Sequence, residues 1–128
     1  MPPSSKIVKK RMTQKELRAF TTRKLENVRL LLDAGKQLEA MVYLFQILTW
    51  LIEDKMDIKR PASATIKEYF AELLKNAKLS PENVHPFVNL MEETLYSHHA
   101  TPEGVIDAYK ERWANLYKEI SGDILPAL

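Results

Sequence analysis

The fifteen residues from Leu38 to Ile52, LEAMVYLFQILTWLI, are apolar on nearly every side of a helix. At 1.5 Å per residue they rise about 22 Å, short of the roughly 30 Å hydrocarbon core of a bilayer. Lys36 and Glu39 stand at one end, and Glu53, Asp54 and Lys55 at the other. A helix of this kind has to be surrounded by protein, so the stretch demands a bundle with this segment in its middle. The 128-residue chain suits one such domain. A chain of this size can bury roughly two-thirds of the surface it exposes when unfolded.

Start and stop signals divide the rest. Thr13 with Glu16, and Thr65 with Glu68, match capping boxes, in which each side chain satisfies a backbone N–H at the other position. From Thr13, Leu17, Phe20, Leu25, Val28 and Leu32 keep helical spacing, and Gly35 ends the helix as a left-handed cap. The second helix runs over about 37–55, with Leu38, Met41, Val42, Leu44, Phe45, Leu48, Leu51 and Ile52 inward. Pro61 keeps DIKRPASAT a loop. Ile66, Tyr69, Phe70, Leu73, Leu74 and Ala77 then form a single amphipathic stripe. Ser80 and Pro81 open the next element, but Pro86 removes a donor inside it. That predicts a turn over 81–85 and a helix over 86–97, with Phe87, Leu90, Met91, Thr94 and Leu95 inward. Thr101 and Pro102 signal the last helix, whose Val105, Ile106, Tyr109, Trp113, Leu116, Tyr117 and Ile120 face the core before Gly122 closes it. The expected fold is all-α, a single compact bundle of about five helices with a basic N-terminal arm. Residues 1–12 read as a flexible basic arm, 13–122 as the bundle and 123–128 as a frayed tail.

Charge is unevenly shared. Residues 1–24 hold eight Lys or Arg against Glu16 alone, a balance of +7, while residues 25–128 carry −5. Lys6, Lys9, Lys10, Arg11, Lys15 and Arg18 are therefore the candidates for binding an anionic surface.

Catalytic and metal-binding patterns are weak. The chain has no cysteine, which removes disulfides, thiolate metal sites and thiol nucleophiles together, and fits a reducing compartment. His98 and His99 stand near Glu92, Glu93 and Glu103. Adjacent histidines on a helix diverge, whereas zinc on one helix face takes ligands four apart. Imidazole close to helix-terminal carbonyls is the simpler use of such a pair. No arginine precedes His85, His98 or His99 at the offset that helical ribonucleases with an Arg-to-His motif need. The pairs Glu53/Asp54 and Glu92/Glu93 splay apart, and a di-iron bundle needs two Glu-x-x-His units where only Glu82 to His85 has that spacing. Trp50, Tyr69, Tyr109 and Trp113 sit among aliphatics at helical spacing, which points to core packing with satisfied polar tips. The expectation is a non-enzymatic chain with no catalytic residue, no cofactor, no metal and no small-molecule substrate.

The segment from Val28 to Leu74 resembles a family. It is similar to the helical domain of unknown function found C-terminal to the membrane spans of prokaryotic transglutaminase-like membrane proteins. The matching residues are Leu32, Ala34, Gly35, Glu39 and Ala40 around the first corner, Arg60, Pro61, Thr65, Glu68 and Tyr69 around the second, and Leu95 with Tyr96. The resemblance covers about residues 26–120, and its motifs are caps and packing residues. The chain departs from it at Leu38, where a tyrosine is usual, and at YSHHATPEG, where the family has a tyrosine-glycine corner. The resemblance implies a cytoplasmic, membrane-proximal bundle, whose basic flank would rest on anionic headgroups at about 1 kcal/mol per basic residue. The expected function is thus a non-enzymatic protein-interaction domain with an unknown protein partner and an anionic membrane surface beside it. The alternative is a small helical DNA- or RNA-binding protein using the basic arm, although no aromatic residue precedes Phe20 to stack on bases.

Micromolar zinc should leave the melting temperature unchanged, because no preformed site favours the folded state. A rise of several degrees that disappears in His98→Ala or His99→Ala would overturn this reading.

Overall fold

A computed structural model of the chain describes residues 12–76, 79–95 and 104–122. These form five α-helices and no strand: α1 (Gln14–Asp33), α2 (Gln37–Met56), α3 (Ile66–Lys75), α4 (Pro81–Leu95) and α5 (Val105–Ser121). Both capping boxes are made. Thr13 N–H donates to Glu16 Oε1 at 2.9 Å and Glu16 N–H to Thr13 Oγ1 at 3.1 Å; Thr65 and Glu68 repeat this at 2.9 and 3.0 Å. At the far end of α1, Lys36 N–H reaches Leu31 O at 2.8 Å and Gly35 N–H reaches Leu32 O at 3.0 Å. This Schellman pair needs the left-handed backbone that Gly35 supplies at φ 76°. It turns the chain so that α2 packs back on α1.

α2 is the centre. It packs on α1, α4 and α5, and ten of its twenty residues are buried. Two indole and phenol groups of α5 set the register between α5 and α2. Trp113 Nε1–H donates to Leu44 O and Tyr109 O–H to Met41 O, each at 2.7 Å. Residue numbers rise together across these bonds, so the two helices run parallel. An aromatic chain ties in the others: Phe45 of α2 meets Phe70 of α3 at 6.0 Å, Phe70 meets Phe87 of α4 at 5.9 Å, and Phe87 meets Tyr109 at 5.0 Å. Edge-on and tilted ring pairs like these add about 0.5–1.5 kcal/mol beyond their burial.

Three sequence expectations need correction. Pro86 does not split its element, because α4 is continuous from Pro81 and carries Pro86 inside it. The lost hydrogen bond and ring clash cost about 3 kcal/mol in a helix interior. Val84, Phe87, Val88 and Met91, none more than 6% exposed, flank the proline. Each stabilises by about 1.5–3 kcal/mol when buried, so burial wins. Leu38 and Val42 are not core residues either; they are 45% and 50% exposed, because no helix covers that side of α2. Tyr69, expected to have a satisfied polar tip, has a buried hydroxyl with no partner, unlike Trp113 and Tyr109. Ala77, Tyr96 and the Thr101–Pro102 start signal lie outside the described residues, as do the arm over 1–11 and the tail over 123–128. No helix among the described residues is long and apolar enough to cross a membrane.

Burial separates two side chains that hydropathy alone treats alike. Phe45→Ala should cost about 3–5 kcal/mol in urea unfolding, since its ring is 5% exposed between Tyr69 and Phe70. Leu38→Ala should cost under about 1 kcal/mol. Equal losses would place α2 wrongly in the bundle.

Candidate functional site

Three surface features stand apart from the interior. The first is the basic end. Lys6, Lys9, Lys10 and Arg11 lie outside the described residues. Lys15 and Arg18 are both exposed in the first turns of α1, three residues apart and so on one side of the helix. Just before them, Met12 is tied to the bundle: its N–H donates to Asp54 Oδ1 at 3.3 Å. Asp54 is 8% exposed, and its Oδ2 is buried without a partner. A carboxylate beside the start of α1 is favoured by the positive end of the helix dipole. Gln14 completes the junction, donating to Ser121 O at 3.0 Å and accepting from Lys55 Nζ at 3.5 Å. Sequence reasoning missed Asp54. The available signal was its place at i+7 after Ile47 and i+3 after Leu51, on a stripe otherwise buried.

The second feature is an apolar edge. Leu30, Leu38 and Val42 are the exposed large apolar side chains among the described residues, Leu30 at 67%. Leu31, Leu38, Val42 and Tyr43 line an open groove of about 500 Å³ between α1 and α2. Tyr43 is held at its rim, where its hydroxyl accepts from Asn27 Nδ2 at 2.8 Å. The nearby Lys36–Glu39 pair, at 3.9 Å and more than half exposed, contributes under about 1 kcal/mol.

The third is a cleft beside the loop that joins α2 to α3. Asp57 adopts a left-handed backbone at φ 57° and turns the chain out of α2. Arg60 then folds the loop back: its guanidinium lies 5.3 Å over the Phe45 ring, and Nη2–H donates to Ala64 O at 3.0 Å. The result is a cleft of about 500 Å³ lined by Ile58, Lys59, Pro61, Glu68, Tyr69 and Glu72. Tyr69 is 3% exposed, and both its Oη and Arg60 Nε are buried without a partner. Desolvation pushes the Tyr69 phenol up to about 12; the Arg60 charge opposes the rise and the Glu53 charge adds to it. Burial likewise holds Tyr109 well above the usual phenol value. Both phenols are therefore neutral at physiological pH, and of the two only Tyr109 donates to a partner.

Of the residues weighed for metal chemistry, His85 and Glu93 are exposed and Glu92 is half-buried, while His98, His99 and Glu103 lie outside the described residues. No group of three His, Asp or Glu side chains that could hold a metal ion occurs among the described residues.

The two raised phenols set an alkaline limit on the fold. A folded pKa above the unfolded value of about 10 means that the stabilising contribution is whole below pH 10 and is lost as pH rises toward 12. Tyr69→Phe should lessen that loss and cost under about 1 kcal/mol at pH 7, because its hydroxyl has no partner to lose. Tyr109→Phe should cost about 1–2 kcal/mol through the bond to Met41 O. Urea titrations at pH 7, 10 and 11 measure all of these, and equal costs for the two variants at pH 7 would contradict the geometry. Comparison with family models, with curated proteins and with solved structures finds no match to this chain.

Proposed function

We propose that this chain is a non-enzymatic protein-interaction domain that works in the cytoplasm beside an anionic membrane surface. One observation carries the reading: two different surface chemistries sit at opposite ends of α1. Cationic residues cluster at its start, where Lys15 and Arg18 follow the Lys6–Arg11 run. The apolar edge lies at its finish, with Leu31 seventeen residues beyond Gln14, or about 26 Å along the axis. Attachment of the basic end to anionic headgroups leaves the edge at Leu31, Leu38 and Val42 free to take the apolar side chains of a protein partner. Such a patch is small, which suits a weak or regulated contact. The resemblance to the cytoplasmic domain of transglutaminase-like membrane proteins supports the same placement. A nucleic-acid role is less favoured, since residues 25–128 carry −5 and would repel phosphates beyond the arm.

A salt titration of the full chain and of a chain lacking residues 1–11 tests the choice. Met12 is retained because it is part of the bundle. Vesicles containing anionic lipid should hold the full chain weakly near about 0.15 M salt, where the Debye length is about 8 Å, and release the shortened one. Duplex DNA should be lost at that salt, whereas a binder contacting five or six phosphates would keep it with a log–log slope of roughly −5. Submicromolar DNA binding near 0.15 M salt would discard the membrane reading. For the protein-binding half, any complex recovered with the native chain should be lost in Leu38→Glu/Val42→Glu, and one indifferent to both changes would remove the edge from the proposal.

A further inference from the structure

The cleft beside the α2–α3 loop has no role in the function proposed above. Its charge is the first clue. Glu68 and Glu72 stand one turn apart on α3, and Lys59 is the one cation that lines the cleft with them. Its walls supply the second, since Ile58, Pro61 and Ala64 are apolar. Tyr69 supplies the third. It lines the cleft, yet its hydroxyl has no partner, and Arg60 Nε, in the α2–α3 loop though not on the cleft wall, is a second buried donor without an acceptor. Buried polar groups are ordinarily satisfied, so the unpaired Tyr69 donor on the cleft wall points to a missing acceptor such as a peptide carbonyl. An occupant that matches all three is an extended peptide with cationic and aliphatic side chains.

The chain contains one. KIVKKR, residues 6–11, has four cations, no anion and two aliphatic residues, Ile7 and Val8. It also starts from the right place. Met12 is fixed to Asp54 near the end of α2, and the cleft begins at Ile58, four residues further along the chain. Four residues span at most about 14 Å, and the six residues from Lys6 to Arg11 reach about 20 Å. We propose that the cleft between the α2–α3 loop and α3 receives residues 6–11 of the same chain, so that the basic segment alternates between its own bundle and an anionic surface. The docking itself needs only the bundle, whereas its competition with lipid rests on the membrane-proximal reading. Docked, the segment neutralises Glu68 and Glu72; released, it presents four positive charges to headgroups.

The absence of native cysteine allows a direct test in the full chain. Val8→Cys is paired with Ser63→Cys at the cleft, or with Thr22→Cys on the exposed side of α1, about 13 Å along the helix from Thr13. A merely tethered segment would reach both positions. Docking raises the effective concentration at the cleft, so the 8–63 disulfide should form at least about tenfold faster than the 8–22 disulfide near 0.1 M salt. The preference should collapse near 1 M salt, where the Debye length falls from about 10 Å to about 3 Å. Glu72→Lys in the 8–63 background should slow the reaction severalfold while the urea midpoint stays in place. Equal rates to both positions, or indifference to Glu72→Lys, would overturn the proposal. An unrelated basic peptide that occupies the cleft while the 8–63 preference is absent would also overturn it, in favour of a partner's segment. Anionic vesicles should slow the 8–63 reaction. If vesicles fail to bind the full chain but the preference persists, the docking stands and the membrane reading falls.

Discussion

The bonds from Trp113 and Tyr109 to the backbone of α2 are the constraint on which the rest of the bundle depends. Each bond contributes only about 0.5–1.5 kcal/mol net, but a buried N–H or O–H left unpaired costs about 1–3 kcal/mol. Both donors are fully buried. Sliding α5 along α2 by one turn would therefore break both bonds and expose the mismatch in the ring contacts as well. With α5 fixed, α4 is placed through Glu119, which accepts from Ser80 N–H at 2.6 Å, Ser80 Oγ at 3.0 Å and Asn83 Nδ2 at 2.8 Å. The start of α4 thus takes its cap from the last turns of α5, and α3 is carried in by Phe70 against Phe45 and Phe87.

This arrangement explains why the surface is uneven. α2 is covered by α1, α4 and α5, and the gap in that cover exposes Leu38 and Val42. At the other end of α1, the start of α1 and the ends of α2 and α5 converge on Asp54, Gln14 and Ser121. Packing there buries a carboxylate whose Oδ1 holds the first described backbone N–H. The basic and apolar ends are thus consequences of one packing order, and their separation is set by the length of α1.

The unsatisfied groups mark where packing and hydrogen bonding disagree. Tyr69 buries its ring against Phe45 and Phe70 and in doing so strands its hydroxyl. Arg60 gains a stacked ring and a carbonyl partner but leaves Nε unpaired. These two sit beside the loop cleft, whereas Asp54 Oδ2 at the start of α1 and the hydroxyl of the fully buried Tyr117 are left unpaired elsewhere. Strain of that sort at a surface loop is more readily relieved by an incoming group than a defect under four helices would be.

The amino-acid sequence determined the local decisions. Thr13, Thr65, Gly35 and Gly122 set helix boundaries because caps are made by residues within a few positions of each other. The stripe from Ile66 to Leu73 and the one from Tyr109 to Ile120 determined which faces of α3 and α5 turn inward, through the helical period alone. The apolar run in α2 determined that something must surround it. Tertiary structure alone decided where that cover stops. Leu38, Val42 and Leu44 look alike in sequence, but only Leu44 has α5 beside it, so two became a surface and one became core. Pro86 is a breaker by local rules and stays helical because neighbouring helices bury the residues around it. The cleft and the junction at Asp54 bring together residues up to 107 positions apart. No local pattern encodes such meetings, because they exist only once the helices have packed.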